Sequence, residues 1–309
     1  MLRSGLLAAS RSARLRDVAE HTPVTRSVVA RFVAGGTIEH AVAAAAELDR
    51  TGLRVTVDHL GEDTTDLAAA DATVIAYQNL LGALADAGLT PGAEVSVKLS
   101  AIGQFLGRDG EKLALDRARR ICAAAARAGT TVTLDMEDHT TTDSTLAILH
   151  ELRADFPWAG VAVQAYLRRT EQDCRALAVA GSRVRLCKGA YREPASVAFQ
   201  DKPEVDRSYV RCLRALVAGG GYPMIATHDP RVITIAGTLV HEFGRTSADH
   251  EFQLLHGVRT EEQRRLAEYG SSVRIYLPYG RDWYGYFMRR LAERPANVGF
   301  FLRSLATRG

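Results

Sequence analysis

Arg289 and Arg290 stand side by side near the C-terminus, one helical turn from Tyr286 and on the same face as Glu293. The same spacing puts Tyr284, Phe287, Met288 and Leu291 on the opposite face of the stretch Arg281–Glu293. Two adjacent guanidiniums make a good receptor for a carboxylate, because each can donate paired N–H bonds to it. A solvated charged face would show the same pattern. What decides between the two is whether the chain offers other charges that converge on the pair. It does. Asp58, Lys98, Asp135, Glu137, Gln164, Arg185 and Tyr276 each sit in a short apolar run, at the polar step of a strict alternation. Lys98 and Arg185 against Asp135 and Glu137 either bind a charged ligand or balance one another as a buried network.

These residues are carried by eight β-branched runs: Arg54–Leu60, Glu94–Ser100, Thr131–Glu137, Val161–Tyr166, Arg183–Cys187, Met224–His228, Glu251–Leu255 and Val273–Leu277. Helical stretches follow them at 64–87, 111–128, 141–153, 170–180, 205–218, 230–242, 260–269 and 282–293. Eight strand–helix units predict an α/β protein with a (β/α)8 barrel, residues 51–309, behind an N-terminal helical arm, residues 1–50. The arm reads as a helix from Asp17 to Phe32, a Gly35-Gly36 break, and a helix from Ile38 to Arg50 capped by Thr37. A doubly wound open sheet alternates similarly, but no GxGxxG follows the first run. In a barrel the apolar members of each run face the helices. The polar members then point inward, toward the C-terminal end where barrel sites lie.

Two loops add candidate contacts. Lys188-Gly189-Ala190-Tyr191 follows the fifth run and suits a phosphate or a flat ring lying close to the backbone. Ala226-Thr227-His228-Asp229-Pro230 opens a helix, a natural place for an anion, although Thr227 could equally be a simple cap. Metal-ligand types are available, but inward Lys98 and Arg185 would repel a cation, so no metal site is expected.

The 309 residues are 47% hydrophobic and 24% charged with a net charge of +3, an ordinary globular balance with no sign of a nucleic-acid groove. No apolar run reads as long enough to span a bilayer. Cys122, Cys174, Cys187 and Cys212 are widely spaced without a CxxC, which suggests reduced thiols and a cytoplasmic setting. Arg3, Arg11, Arg14 and Arg16 precede the first acid, Asp17, and read either as a transit-like segment or as a basic arm.

Taken in order, Val-Ser-Val-Lys98-Leu-Ser, Leu-Asp135-Met-Glu137, Val-Gln164-Ala-Tyr166, Arg185-Leu-Cys-Lys188-Gly-Ala-Tyr191, Ala-Thr227-His228, Glu-Phe-Gln-Leu-Leu-His256-Gly and Arg-Ile-Tyr276-Leu-Pro resemble the proline dehydrogenase family. The ending Tyr286-Phe-Met-Arg289-Arg290-Leu-Ala-Glu293-Arg-Pro-Ala-Asn297 completes the resemblance, and the compact length is similar to the monofunctional bacterial branch. The resemblance implies a distorted (β/α)8 barrel that binds FAD non-covalently, oxidises L-proline to Δ1-pyrroline-5-carboxylate and passes electrons to a membrane quinone. Its last helix would lie over the C-terminal mouth. Lys98, Arg289 and Arg290 would bind the proline carboxylate, with Asp135 orienting these cations. Arg185 and Gln164 would contact the flavin ring. Met136, Lys188, Gly189, Ala190, Thr227 and His228 would line the FAD, and Tyr191, Tyr276 and Tyr286 would wall the proline ring. The resemblance also implies peripheral contact with the inner face of the cell membrane, and pyrroline-5-carboxylate dehydrogenase as the pathway neighbour.

A different enzyme class is compatible with a barrel carrying inward lysines. Lys188 or Lys98 could form a Schiff base in an aldolase or lyase, provided burial lowered its pKa. Lys98 beside Asp135 should instead stay charged.

Overall fold

A computed structural model of the chain describes residues 29–288 and the helical backbone of residues 289–293. The expected helix from Asp17 lies outside the described residues as far as residue 28, as does the basic arm. The first described helix, α1 (Ile38–Asp49), is capped by Thr37, whose hydroxyl accepts from the His40 N–H. It packs on the first and last strands through Ala41 and Ala45.

Eight parallel strands follow: β1 (Arg54–His59), β2 (Ala93–Val97), β3 (Val132–Leu134), β4 (Gly160–Gln164), β5 (Arg183–Cys187), β6 (Tyr222–Ala226), β7 (Glu251–Leu255) and β8 (Val273–Tyr279). Each pairs with the next and β8 pairs with β1, so the sheet closes into a barrel. The crossovers are α2 (Leu67–Asp86), α3 (Gly110–Arg127), α4 (Thr142–Asp155), α5 (Thr170–Leu177), α6 (Lys202–Ala218), α7 (Pro230–Glu242) and α8 (Thr260–Glu268); α9 (Trp283–Glu293) comes last. The outward residues of the strands, among them Val55, Val57, Val95, Val97, Val161, Leu186, Ile225 and Ile275, join the helices in one continuous core. Burying these branched side chains contributes about 1.5–3 kcal/mol each before entropy is counted.

Several strands end earlier than their sequence pattern suggests. After Val97 the chain leaves the ladder and curls into a 3-10 turn, Ser100–Ile102, with the Ala101 N–H donating to the Lys98 carbonyl at 3.2 Å. Asp135 lies past the end of β3, yet its N–H still donates to the Val97 carbonyl at 2.9 Å. Thr227 and His228 fall in the loop after β6 because the Thr227 hydroxyl accepts from the Asp229 N–H and turns the chain into α7. The polar residues at these strand ends are therefore held at the barrel mouth.

Helix α2 departs from the expectation that no apolar stretch is long enough to span a bilayer. The 20 residues of α2 are long and apolar enough, by length and composition, to cross a membrane. Val74, Tyr77, Leu80, Leu81 and Leu84 are instead its buried face against the barrel.

Helix α9 packs against Leu60 and Val258, just beyond β1 and β7, so it lies against the C-terminal mouth. The expected two-sided division of this helix is only partly observed. Tyr286 is buried together with Tyr284, Phe287 and Met288, because Val29, Phe32 and Val33 cover the helix on a second side.

Candidate active site

The inward residues form two layers. In the upper layer, near the mouth, Lys98 Nζ lies 2.7 Å from Asp58 and 3.6 Å from Asp135. Asp135 also pairs with Arg185 at 2.6 Å and accepts from the Tyr276 hydroxyl at 2.7 Å and the Ser96 hydroxyl at 2.9 Å. The Arg185 guanidinium is held by several acceptors: the Gln253 side-chain oxygen at 2.6 Å, Asp135, and the hydroxyls of Ser96 at 2.7 Å and Thr56 at 3.4 Å. Its planar fork suits this spread of acceptors, which an ammonium could not satisfy. Small residues on β4, Gly160 and Ala162, lie beside the inward arginines of β5 in the register. A Cβ on Gly160 would come within 3.3 Å of the Arg183 Cβ.

Beneath these lies a second charged layer. Glu94 pairs with Arg183 at 2.6 Å and approaches Arg274 at 3.8 Å, and Arg274 pairs with Glu251 at 2.8 Å. The Gln253 side-chain N–H donates to Glu251 at 2.6 Å, which joins the two layers and fixes which way its amide faces Arg185. Each buried charge thus has a counter-charge, as burial requires.

The electrostatics follow from this pairing. Burial alone would discharge Lys98, but the Asp58 and Asp135 carboxylates outweigh it and hold the ammonium protonated well above its ordinary range. Burial likewise opposes ionisation of Asp135, and Lys98 and Arg185 overcome it, so the carboxyl titrates below its usual value. Glu94 is desolvated too, yet Arg274, Arg183 and Arg185 draw it down to about 2. Glu137 differs. Burial lifts it to about 7, with the Ser100 hydroxyl and N–H donating to its two oxygens at 2.7 and 3.1 Å. Lys98 and Arg185 both pair with Asp135, whereas Glu137 is bound by Ser100, so the expected grouping of Glu137 with Lys98, Arg185 and Asp135 resolves into three close members and one neighbour. The Gln164 side-chain N–H donates to the Glu137 carbonyl at 2.6 Å, and Met136 is buried between Asp135 and Glu137.

A second group of charges lies on the rim. Lys188 binds Asp206 and, at 3.0 Å, Asp229; Lys202 and Arg231 bind the same two carboxylates. Asp229 caps α7 by accepting from the Arg231 N–H. Near this cap, His228 Nε2 accepts from the Leu255 N–H at 2.9 Å, which leaves the ring proton on Nδ1. Gly189 has φ +115 and lies so close to the Tyr166 ring that a Cβ there would sit 2.3 Å from it. Ala190 and Tyr191 follow, half-buried.

The structure therefore brings Lys98, Asp135, Arg185 and Tyr276 into one cluster, with Met136 and Gln164 on the adjoining strand ends. Lys188, Thr227 and His228 lie together on the rim, apart from that cluster. Arg289 and Arg290 are on α9, but their side chains lie outside the described residues. Among the described residues no group of three or more His, Cys, Asp or Glu is placed to hold a metal ion. Sequence reasoning placed Asp58 among the inward residues without giving it a role, and it did not single out Ser96 and Gln253, although both occupy inward positions of their runs. It also passed over Glu193, whose partners are distant in sequence. The Schiff-base alternative loses its footing, because Lys98 is kept charged and Lys188 is bound between two carboxylates.

Similarity to known proteins identifies the family and the fold. The family model described as proline dehydrogenase matches residues 41–303. The chain is 40% identical to Proline dehydrogenase 1 of Bacillus subtilis (strain 168) over 281 residues, 91% of each chain. It is 42% identical to Proline dehydrogenase of Deinococcus radiodurans over 277 residues, 89% of each. Among solved structures, proline utilization A of Bdellovibrio bacteriovorus shares the fold with a TM-score of 0.79 at 24% identity. That match covers 86% of this chain and 32% of the other, so the chain spans about a third of that larger protein.

Proposed function

The chain belongs to the proline dehydrogenase family, and from that premise we propose that it oxidises L-proline to Δ1-pyrroline-5-carboxylate with FAD as electron acceptor. It is an oxidoreductase acting on proline, similar to the monofunctional bacterial members. The observation that best supports the finer reading is the buried Lys98–Asp135–Arg185 cluster at the barrel mouth. Lys98 keeps its charge and offers it to the substrate carboxylate, with Arg289 and Arg290 added from α9. Tyr276, fixed by its bond to Asp135, walls the ring together with Tyr191 and Tyr286. A carboxylate gripped in this way holds the ring in one orientation, which makes the following step effectively intramolecular.

The donor set suits the proposed cofactor. Lys188, Lys202 and Arg231 crowd two carboxylates, Asp206 on α6 and Asp229 at the N-terminus of α7, and a surplus of positive charge beside a helix N-terminus favours a pyrophosphate. Lys188, Gly189, Ala190, Thr227, His228 and the Met136 backbone would line it, and Gln164 and Arg185 would face its ring. FAD, when bound, would supply the acceptor for the hydride leaving the proline ring. Arg185, locked by its fourfold hydrogen bonding, would place fixed positive charge beside the growing negative charge at no cost in reorganisation. Electrons would then pass to a membrane quinone. This puts a cytoplasmic protein in peripheral contact with the inner face of the cell membrane, and its product is the substrate of pyrroline-5-carboxylate dehydrogenase.

The test is proline-dependent reduction of a soluble quinone by the purified protein, with the imine product trapped chemically. We expect a yellow protein and stoichiometric product. A colourless protein that FAD cannot reconstitute would overturn the cofactor assignment. Proline oxidation that never reduces a quinone would overturn the acceptor.

A further inference from the structure

The chain between β5 and α6 makes a long excursion over the barrel mouth, and it carries Ala190 and Tyr191. Glu193 is buried within it, with a side chain only 2% exposed. Its carboxylate collects donors from two other strand ends. The His139 N–H, after β3, donates to it at 2.9 Å, and the His139 ring Nδ1 lies against its second oxygen. The Tyr166 hydroxyl, after β4, donates to it at 3.3 Å. The backbone N–H of Tyr191 faces that same hydroxyl. The Tyr166 ring fills the space under Gly189, so it supports the start of the same loop.

We propose that Glu193 is a positioning residue for proline binding. Through Tyr166 it fixes the backbone of Tyr191, and through His139 it ties the β5 loop to the β3 loop that follows Asp135. The inference rests on the reading of Tyr191 as a wall of the proline site. Its physical basis is that Glu193 is an acceptor shared by three loops. Removing it leaves a buried hydroxyl and a half-buried N–H without their partner and frees the loop to shift. The Leu167–Ala198 bridge and the Phe199 N–H to Tyr166 carbonyl bond at 2.8 Å secure the far end of the excursion but do not reach Tyr191.

Glutamine at this position keeps one oxygen for the His139 N–H and the Tyr166 hydroxyl, and its amide N–H can donate to the His139 ring as an acceptor tautomer. The pair E193A and E193Q therefore separates positioning from charge. For E193A we expect KM for proline to rise about tenfold or more while flavin content per chain is retained and kcat falls much less. E193Q should stay within about twofold of the parent in both. Y166F, which removes a single hydroxyl, should shift KM in the same direction by a smaller factor. Amide hydrogen exchange across residues 190–199, which needs no turnover, should accelerate in E193A and not in E193Q. Unchanged exchange in E193A overturns the proposal, and so does a glutamine variant as impaired as the alanine one. Faster exchange with an unaltered KM leaves Glu193 anchoring the loop but overturns its role in proline binding, and with it the reading of Tyr191.

Discussion

Asp135 and Arg185 form a 2.6 Å ion pair inside the barrel, both buried, and both also bond to the Ser96 hydroxyl. The pair joins the proposed carboxylate grip to the proposed flavin contact. Breaking it from either side leaves a buried charge without its partner, which typically costs about 3–5 kcal/mol.

Arg185→Met should therefore slow single-turnover flavin reduction by about tenfold or more while FAD stays bound. Arg185→Lys should not restore the rate, because one ammonium cannot serve Gln253, Ser96, Asp135 and Thr56 together. Stopped-flow reduction checks both. A normal rate in the methionine variant would remove Arg185 from the chemistry.

Asp58 is the nearer partner of Lys98, at 2.7 Å against 3.6 Å for Asp135. Asp58→Asn removes the closer counter-charge but keeps the shape. Lys98 should then lean toward Asp135, and KM for proline should rise several-fold with little loss of flavin, roughly 1 kcal/mol of binding. Titration with a non-oxidisable carboxylate analogue of proline, read by the flavin spectrum, checks this without turnover.

Glu137 gives stability a pH dependence of definite sign. Its carboxyl has an ordinary value of 4.5 in the open chain and about 7 when folded, raised by burial. The folded state therefore holds this proton more tightly. The associated stabilisation is complete below pH 4.5 and is lost as pH rises through about 7. Thermal melts from about pH 5 to about pH 8 should show the parent losing stability relative to Glu137→Gln, which has no proton to release. The opposite slope would contradict the burial of this group beside Ser100.

Gly189→Ala meets two obstacles, a φ of +115 and a Tyr166 ring 2.3 Å from the new Cβ. A strained backbone of this kind costs about 1–3 kcal/mol. The variant should melt earlier and bind flavin less tightly, since the displaced segment also carries Lys188. Unchanged flavin retention would show that the 188–190 turn does not line the cofactor.

Much of the barrel is legible in the chain because its strands alternate so regularly. Val95, Val97 and Leu99 against Ser96 and Lys98 fix which side chains turn inward, and the same logic applies to Asp135, Arg185 and Tyr276. Strand ends are less legible. Lys98 to Ser100 continue the alternation, but Ser100 is drawn off the ladder by Glu137, a partner 37 residues away. The lower layer of Glu94, Arg183, Glu251 and Arg274 occupies the same inward phase. Recognising it as a second layer, however, requires the register between strands that only the closed barrel supplies. Tyr286 shows a third limit: helical periodicity divides a helix into two faces, but it does not show that both are covered. Glu193 lies in a loop without periodicity, and its partners His139 and Tyr166 come from two other strand ends, so no local pattern marks it.

The most direct test of the central claim is anaerobic addition of L-proline to the purified, flavin-loaded protein. Oxidation of proline by bound FAD predicts prompt loss of the flavin's visible absorbance with one proline consumed per flavin. A flavin that stays oxidised under saturating L-proline would contradict it.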